Sequence, residues 1–112
     1  MTPTKSWKSF ELRVSKWFGG RRRGADFRGF SGAGKNDIIV DGWSPECKLL
    51  GRPSFQDCLN AAKQAEAAKE NLADIAVAIV KRKGDDDADS LFIMRKNEFL
   101  SNFVSVKQVK EE

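Results

Sequence analysis

Residues 36–48 carry the residue types and spacing best suited to chemistry. Asp37 opens a β-branched apolar run, and Glu46 and Lys48 stand two residues apart after a turn. Because side chains of an extended strand alternate between faces, Glu46 and Lys48 should share one face, with Cys47 on the other. If the two segments pair as neighbouring strands, Asp37 can approach both. Two carboxylates can hold a hard divalent cation and an ammonium can stabilise developing negative charge, so the segment predicts a metal-dependent hydrolytic centre.

A simpler interpretation is that Glu46 and Lys48 form an exposed ion pair on one face of a strand, which is a common arrangement. Three features favour the functional interpretation. Pro45 precedes Glu46, an acid lies nine residues upstream at the head of an apolar strand, and Glu11 falls at the border of the buried face of a preceding helix. We therefore expect a site rather than a surface ion pair.

The composition narrows the chemistry that this site can perform. The chain has no His and no Tyr, which excludes histidine acid–base chemistry, Ser-His-Asp hydrolysis and a tyrosine-nucleophile recombinase. Its two cysteines are too few for a disulfide framework or a structural zinc site, and we expect both to be reduced. Hydrolysis must therefore depend on carboxylates, lysine and a metal ion.

Positive charge is concentrated in the half of the chain that contains the candidate site. Residues 1–52 carry eleven Lys or Arg and five Asp or Glu, whereas residues 53–112 carry nine and eleven. A basic half would attract a polyanion such as DNA. No apolar run approaches the roughly 20 residues that span a bilayer, and the N-terminus lacks a signal peptide, so we expect a cytoplasmic protein that does not bind membranes.

The hydrophobic pattern predicts one α/β domain with a mixed central sheet flanked by helices. Its core covers about residues 6–103, and residues 104–112 form a tail. Trp7, Phe10, Val14 and Trp17 mark the buried stripe of the first helix. The order of elements is α–β–β–β–α–β–β–α, and the main ones are predicted at 6–18 (helix), 37–41 and 46–50 (strands), 54–71 (helix), 74–81 and 91–94 (strands) and 96–103 (helix).

The sequence predicts both the start and the buried face of the second helix. Ser54 and Asp57 have the spacing of a capping box at its start. Phe55 and Leu72 belong to its predicted buried face, whereas Gln64 is expected on the exposed side. The acidic turn at 84–89 is interpreted as a solvated hairpin tip rather than a metal loop.

The residues that carry this argument resemble the PD-(D/E)XK nuclease superfamily, and within it the Holliday junction resolvases of archaeal and phage type. The resemblance spans about residues 6–100 and includes the helix with Glu11, a Ser/Gly loop, Asp37, and the Glu46-Cys47-Lys48 tripeptide. It implies a restriction-endonuclease-like core. It also implies an enzyme of DNA recombination and repair that depends on Mg²⁺, for which Mn²⁺ can substitute.

Roles for individual residues follow from this resemblance. Asp37 and Glu46 would coordinate the metal, together with the backbone carbonyl of Cys47. Lys48 would position or help activate the attacking water and balance charge on the phosphate. Glu11 would complete the acidic cluster, directly or through water, and Ser31 would be a catalytic-loop serine. The residues expected to hold DNA are Arg13, Arg21, Arg22, Arg23, Arg28 and Lys35.

The resemblance implies a homodimer that cuts four-way junctions or other branched DNA, because symmetric cleavage needs two sites related by a twofold axis. Apolar residues around Phe92, Phe99 and Phe103 are candidates for the dimer interface. Two alternatives remain open. One is a nicking or restriction-type nuclease that acts on duplex or flap DNA, and the other is a DNA-binding module of the same fold without catalysis. The arginine run at 21–23 is equally compatible with a solvated turn.

Overall fold

A computed structural model describes residues 6–22 and 38–104 of the chain, and the predicted order of helices and strands is confirmed. These residues form a single domain of mixed α/β composition. Its elements are α1 (Ser6–Trp17), β1 (Arg21–Arg22), β2 (Ile38–Ile39), β3 (Trp43–Leu50), α2 (Phe55–Ala67), β4 (Ile75–Arg82), β5 (Leu91–Ile93) and α3 (Lys96–Phe103), with a short 3₁₀ turn at Asp87–Asp89.

The central sheet is mixed, as predicted, and β4 is its middle strand. β3 runs parallel to β4 and pairs with it from Trp43 opposite Ile75 to Leu50 opposite Arg82. β5 pairs with β4 in the antiparallel direction. Because β4 has a neighbour on each side and a helix over each face, its sequence is almost continuously apolar.

A second, antiparallel pair of short strands lies beside the start of β3. Arg21 of β1 is opposite Ile39 of β2, and a single antiparallel bridge joins Val40 to Trp43. The chain turns between them through Asp41 and Gly42, where a φ of 84° favours glycine. β3 therefore begins earlier than the predicted residue 46.

The two faces of the central sheet are covered by different helices. We call the face of Trp43, Cys47 and Leu49 the α1 face, because these side chains pack on a buried cluster centred on α1. The members of that cluster are Phe10, Val14, Ile38, Val77 and Ile79. The opposite face is the α2 face, where the buried residues Ala61, Ala78 and Val80 pack together with Leu50, Cys58 and Ile93.

The start of α2 is fixed by the predicted capping box. The backbone N–H of Asp57 donates to the hydroxyl of Ser54 at 3.0 Å, and the N–H of Ser54 donates to the carboxylate of Asp57 at 2.9 Å. Ser44 ties β3 to this helix, since its hydroxyl donates to the carbonyl of Ala65 at 2.6 Å. The end of the helix was predicted too late, at about residue 71, whereas α2 stops at Ala67.

Several aromatic and aliphatic residues predicted to be buried are instead exposed. Phe55 and Leu72 are 83% and 93% exposed, because Phe55 is the first residue of α2 and Leu72 follows its end. Trp7 and Trp17 are about half exposed, so only Phe10 and Val14 of the predicted stripe are fully buried. Gln64 is exposed, as predicted. In the described ranges, none of the helices has the length and apolar character needed to span a bilayer.

Candidate active site

Glu46 and Lys48 lie on the same face of β3, as the alternation of a strand predicts. The Lys48 Nζ is 3.5 Å from the Glu46 Oε2, and the two side chains are 33% and 20% exposed, respectively. In register they stand opposite Ala78 and Val80 of β4, which belong to the α2 face. The pair is therefore partly desolvated and still reachable from solvent, a setting in which a charge acts more strongly than in bulk water.

Cys47 points to the other side of β3, where it packs against the α1-face cluster. Cys58 of α2 packs on the α2 face. Neither cysteine forms a disulfide in the part of the chain that the structure describes. The thiol of Cys47 therefore lies on the face opposite Glu46, and metal ligation by its backbone carbonyl stays a prediction.

Glu11 is a buried carboxylate on α1. Its helix packs on the α1 face through Phe10 and Val14, whereas Glu46 and Lys48 lie on the α2 face. A role for Glu11 in the same cluster as Glu46 stays a prediction.

Arg13, expected to hold DNA, is engaged within the protein. Its Nε and Nη2 donate to the two carboxylate oxygens of Asp87 at 2.6 and 3.0 Å, and the Lys81 Nζ donates to the same carboxylate at 2.9 Å. The bonds from Arg13 and Lys81 lower the pKa of Asp87 from 3.8 to about 2, and Asp87 in turn raises the pKa of Arg13. The acidic turn is thus not simply solvated, because Asp87 connects it to α1 and β4.

The other predicted contacts to DNA are described only in part. Arg21 is exposed in β1, and the backbone of Arg22 pairs with Ile38 in the same two-stranded sheet. The remaining predicted site residues lie outside the described residues; they are Arg23, Arg28, Ser31, Lys35 and Asp37. Their roles therefore stay predictions.

Of the two predicted principal metal ligands, Asp37 and Glu46, the structure describes Glu46. Glu46 offers carboxylate oxygens, the donors that Mg²⁺ prefers, at a position open to solvent. Residues 6–22 and 38–104 contain no group of three or more acidic or cysteine side chains that could hold a metal by itself. A complete ligand set would therefore need donors from outside these ranges, and Asp37 as one of them stays a prediction.

Glu98 of α3 is a buried acid that the sequence did not single out. It accepts a hydrogen bond from the backbone N–H of Ala76 at 2.8 Å and from the Lys69 Nζ at 3.0 Å, and the amide of Asn102 lies 3.3 Å away. Burial raises its pKa, but the bonds from Ala76 and Lys69 outweigh burial and leave the pKa lowered. Glu98 holds α3 against the start of β4, and no sequence signal marks it because its partners are distant along the chain.

An apolar groove of about 440 Å³ lies beside β5 and α3. It is lined by Trp43, Val77, Phe92, Met94, Phe99 and Phe103. Phe92, Phe99 and Phe103, the predicted interface residues, are each about half exposed there. Phe92 stacks on Phe18 and Phe99 contacts Phe103, so the half-exposed rings form an aromatic patch.

Comparisons with models of protein families, with curated proteins and with solved structures gave no match to this chain. The candidate site thus consists of the Glu46–Lys48 pair on β3 of a mixed α/β domain. Fold class alone does not imply function, so a function can be inferred here only from the residues of the candidate site.

Proposed function

We propose that this protein is a metal-dependent DNA endonuclease whose centre combines Asp37, Glu46 and Lys48. The observation that carries the proposal is the Glu46–Lys48 pair, with 3.5 Å between its charged atoms on one partly exposed face of β3. A carboxylate and an ammonium held together in this way match the two needs of phosphodiester hydrolysis, which are a cation ligand and a counter-charge for the phosphate.

The place of Asp37 in this centre is part of the proposal. Ile38 and Val40 pack in the α1-face cluster, and Val40 bridges Trp43 in the antiparallel direction. Ile38 and Ile39 themselves pair with β1, and position 37 lies outside the described residues. The approach of Asp37 to Glu46 is therefore proposed from the sequence, in which an acid opens the apolar run that precedes β3.

Each proposed residue has a distinct task. Asp37 and Glu46, with the carbonyl of Cys47, would hold Mg²⁺, which supplies Lewis-acid stabilisation of charge on the phosphate. The Lys48 ammonium would orient the attacking water and stabilise the same charge from the protein side. Because its side chain is one-third exposed, Lys48 remains accessible to a DNA backbone.

The proposed substrate is branched DNA, above all a four-way junction, and the proposed active form is a homodimer. The excess of positive charge in residues 1–52 supports a polyanionic substrate. The aromatic patch of Phe92, Phe99 and Phe103 supports a twofold contact, since clustered exposed apolar surface is typical of protein interfaces.

The test is cleavage of labelled DNA by the purified protein in Mg²⁺ and in EDTA. The substrates are a four-way junction, a flap and a linear duplex of the same sequence. We expect cleavage in Mg²⁺ only, with the junction cut fastest. Binding without cleavage in Mg²⁺ would contradict an enzyme and favour a DNA-binding module, whereas equal cleavage of junction and duplex would favour a restriction-type nuclease.

A further inference from the structure

A cluster of two cations around one carboxylate lies on the α1 face, separate from Glu46 and Lys48. Arg13 of α1 and Lys81 of β4 converge on Asp87, with three donor–acceptor distances between 2.6 and 3.0 Å. The Lys81 side chain is only 9% exposed, whereas Arg13 and Asp87 are 43% and 32% exposed. Cations outnumber the acid, so the cluster carries a net positive charge.

The geometry around Asp87 is that of an anion-binding site. Arg13 binds both carboxylate oxygens of Asp87 in a bidentate manner, which is how guanidinium groups bind carboxylates and phosphates alike. Both cations also stand near the ring of Phe10, with the Arg13 Cζ 5.8 Å and the Lys81 Nζ 5.4 Å from its centroid. Because Phe10 is fully buried, the ring helps to fix the donors independently of Asp87.

Of the three side chains in this cluster, that of Asp87 can move away from the other two most easily. It belongs to the surface turn between β4 and β5, whereas Arg13 and Lys81 are held in a helix and in the central strand of the sheet. The turn also carries Asp85, Asp86 and Asp89, and this negative charge would repel a polyanion from the basic side chains beside it.

We propose that Arg13 and Lys81 form a phosphate-binding subsite that Asp87 fills in the free protein, and that a backbone phosphate of DNA takes the place of the Asp87 carboxylate. Asp87 is then an internal competitor that weakens DNA binding. This inference rests on the proposed function, because it assumes that the polyanion is DNA. The opposing possibility is that the cluster only fastens α1 to the β4–β5 turn.

The experiment compares Asp87→Asn with a matched control, Asp89→Asn. The control removes one negative charge from the same turn at a residue that does not take part in the Arg13–Lys81–Asp87 cluster. Affinity for a labelled four-way junction is measured in EDTA by fluorescence anisotropy at several salt concentrations. We expect Asp87→Asn to bind about three- to tenfold more tightly than the wild type, with a salt dependence steeper by about 0.9 for each additional phosphate that the protein neutralises. Asp89→Asn should change affinity less.

A second variant shows whether Arg13 carries the increase in affinity. Adding Arg13→Gln to Asp87→Asn should abolish most of this increase, and Arg13→Gln alone should weaken binding of the folded protein. Thermal unfolding of every variant confirms that the protein measured is folded. Equal affinities for Asp87→Asn and Asp89→Asn, or an increase that persists without Arg13, would overturn the inference, as would unchanged DNA binding by folded Arg13→Gln.

Cleavage assays separate this inference from the proposed function. If the wild type cuts junctions in Mg²⁺ while Asp87→Asn binds no more tightly than Asp89→Asn, only the subsite is wrong. If Asp87→Asn binds more tightly through Arg13 but no variant cuts DNA, the subsite stands and the nuclease proposal fails. If no variant binds DNA, both are wrong.

Discussion

The two faces of the central sheet differ in what they bury. The α1 face is packed with large side chains, including Phe10, Val77 and Ile79, all fully buried. The α2 face is packed mainly with alanines, which allow α2 to lie close to the strands, and it is the face of Glu46 and Lys48. We infer from this contrast that the α1 face supplies most of the stability, while the α2 face accommodates charged groups that solvent can reach.

The physical basis of this division is the amount of apolar surface that each residue removes from water. A buried Phe, Ile or Val contributes about 1.5–3 kcal/mol by transfer from water, and an alanine contributes much less. Close packing by small residues leaves little room for change, even though each residue contributes little. We therefore expect smaller side chains to destabilise the α1 face and larger side chains to destabilise the α2 face.

The largest effect on stability is expected from Phe10→Ala. It removes a fully buried ring from the α1-face cluster, and we expect the free energy of unfolding to fall by about 3–5 kcal/mol. Chemical denaturation followed by circular dichroism measures the change. Leu12→Ala, on the exposed side of the same helix, is the matched control and should cost less than about 1 kcal/mol. Similar losses for the two variants would contradict a dominant α1 face.

An intermediate effect is expected from Ala61→Leu on the other face. Ala61 is fully buried against Ala78 and Val80, so added volume forces α2 away from the sheet and should cost about 1–3 kcal/mol. The same substitution at Ala67, which is exposed in the same helix, should be nearly neutral. Denaturation curves for the two variants sharpen the comparison, since a stabilising Ala61→Leu would mean that the α2 face is loosely packed.

The smallest effect concerns the ion pair that anchors α1 to the β4–β5 turn. Because the folded-state pKa of Asp87 is lowered from 3.8 to about 2, its stabilisation is present above pH 3.8 and is lost as the pH falls toward 2. Partial exposure limits it to about 1 kcal/mol. Stability of the wild type should therefore decline through this window more steeply than that of Asp87→Asn. Parallel declines would show that the pair contributes nothing to the α1 face.

The fold was largely predictable because its signals are local. The apolar run of β4 and the Ser54–Asp57 box each depend on residues a few positions apart. The exposure of Phe55 was not predictable in this way, because helical periodicity does not tell how far the sheet extends beneath a helix. The end of α2 was missed as well, because the residues that follow Ala67 are Ala68, Lys69 and Glu70, all of which favour helices.

For the candidate site, the sequence predicted how side chains alternate along β3 but not which elements surround them. Alternation along β3 suffices to place Glu46 and Lys48 together with Cys47 opposite, and the structure has this arrangement. Which helix covers which face depends on the topology of the whole domain, so the packing of α1 on the face opposite Glu46 and Lys48 could not be foreseen. The engagement of Arg13 by Asp87 spans 74 residues and has no local signature.

The measurement that tests the central claim most directly is the rate of junction cleavage in Mg²⁺ by Lys48→Ala. Lys63→Ala is the matched control, because Lys63 is an exposed lysine of α2. If Lys48 stabilises charge on the phosphate, Lys48→Ala should cut at least about 100-fold more slowly than the wild type while DNA binding changes little. Lys63→Ala should cut at nearly the wild-type rate. Cleavage by folded Lys48→Ala at the wild-type rate would contradict the account.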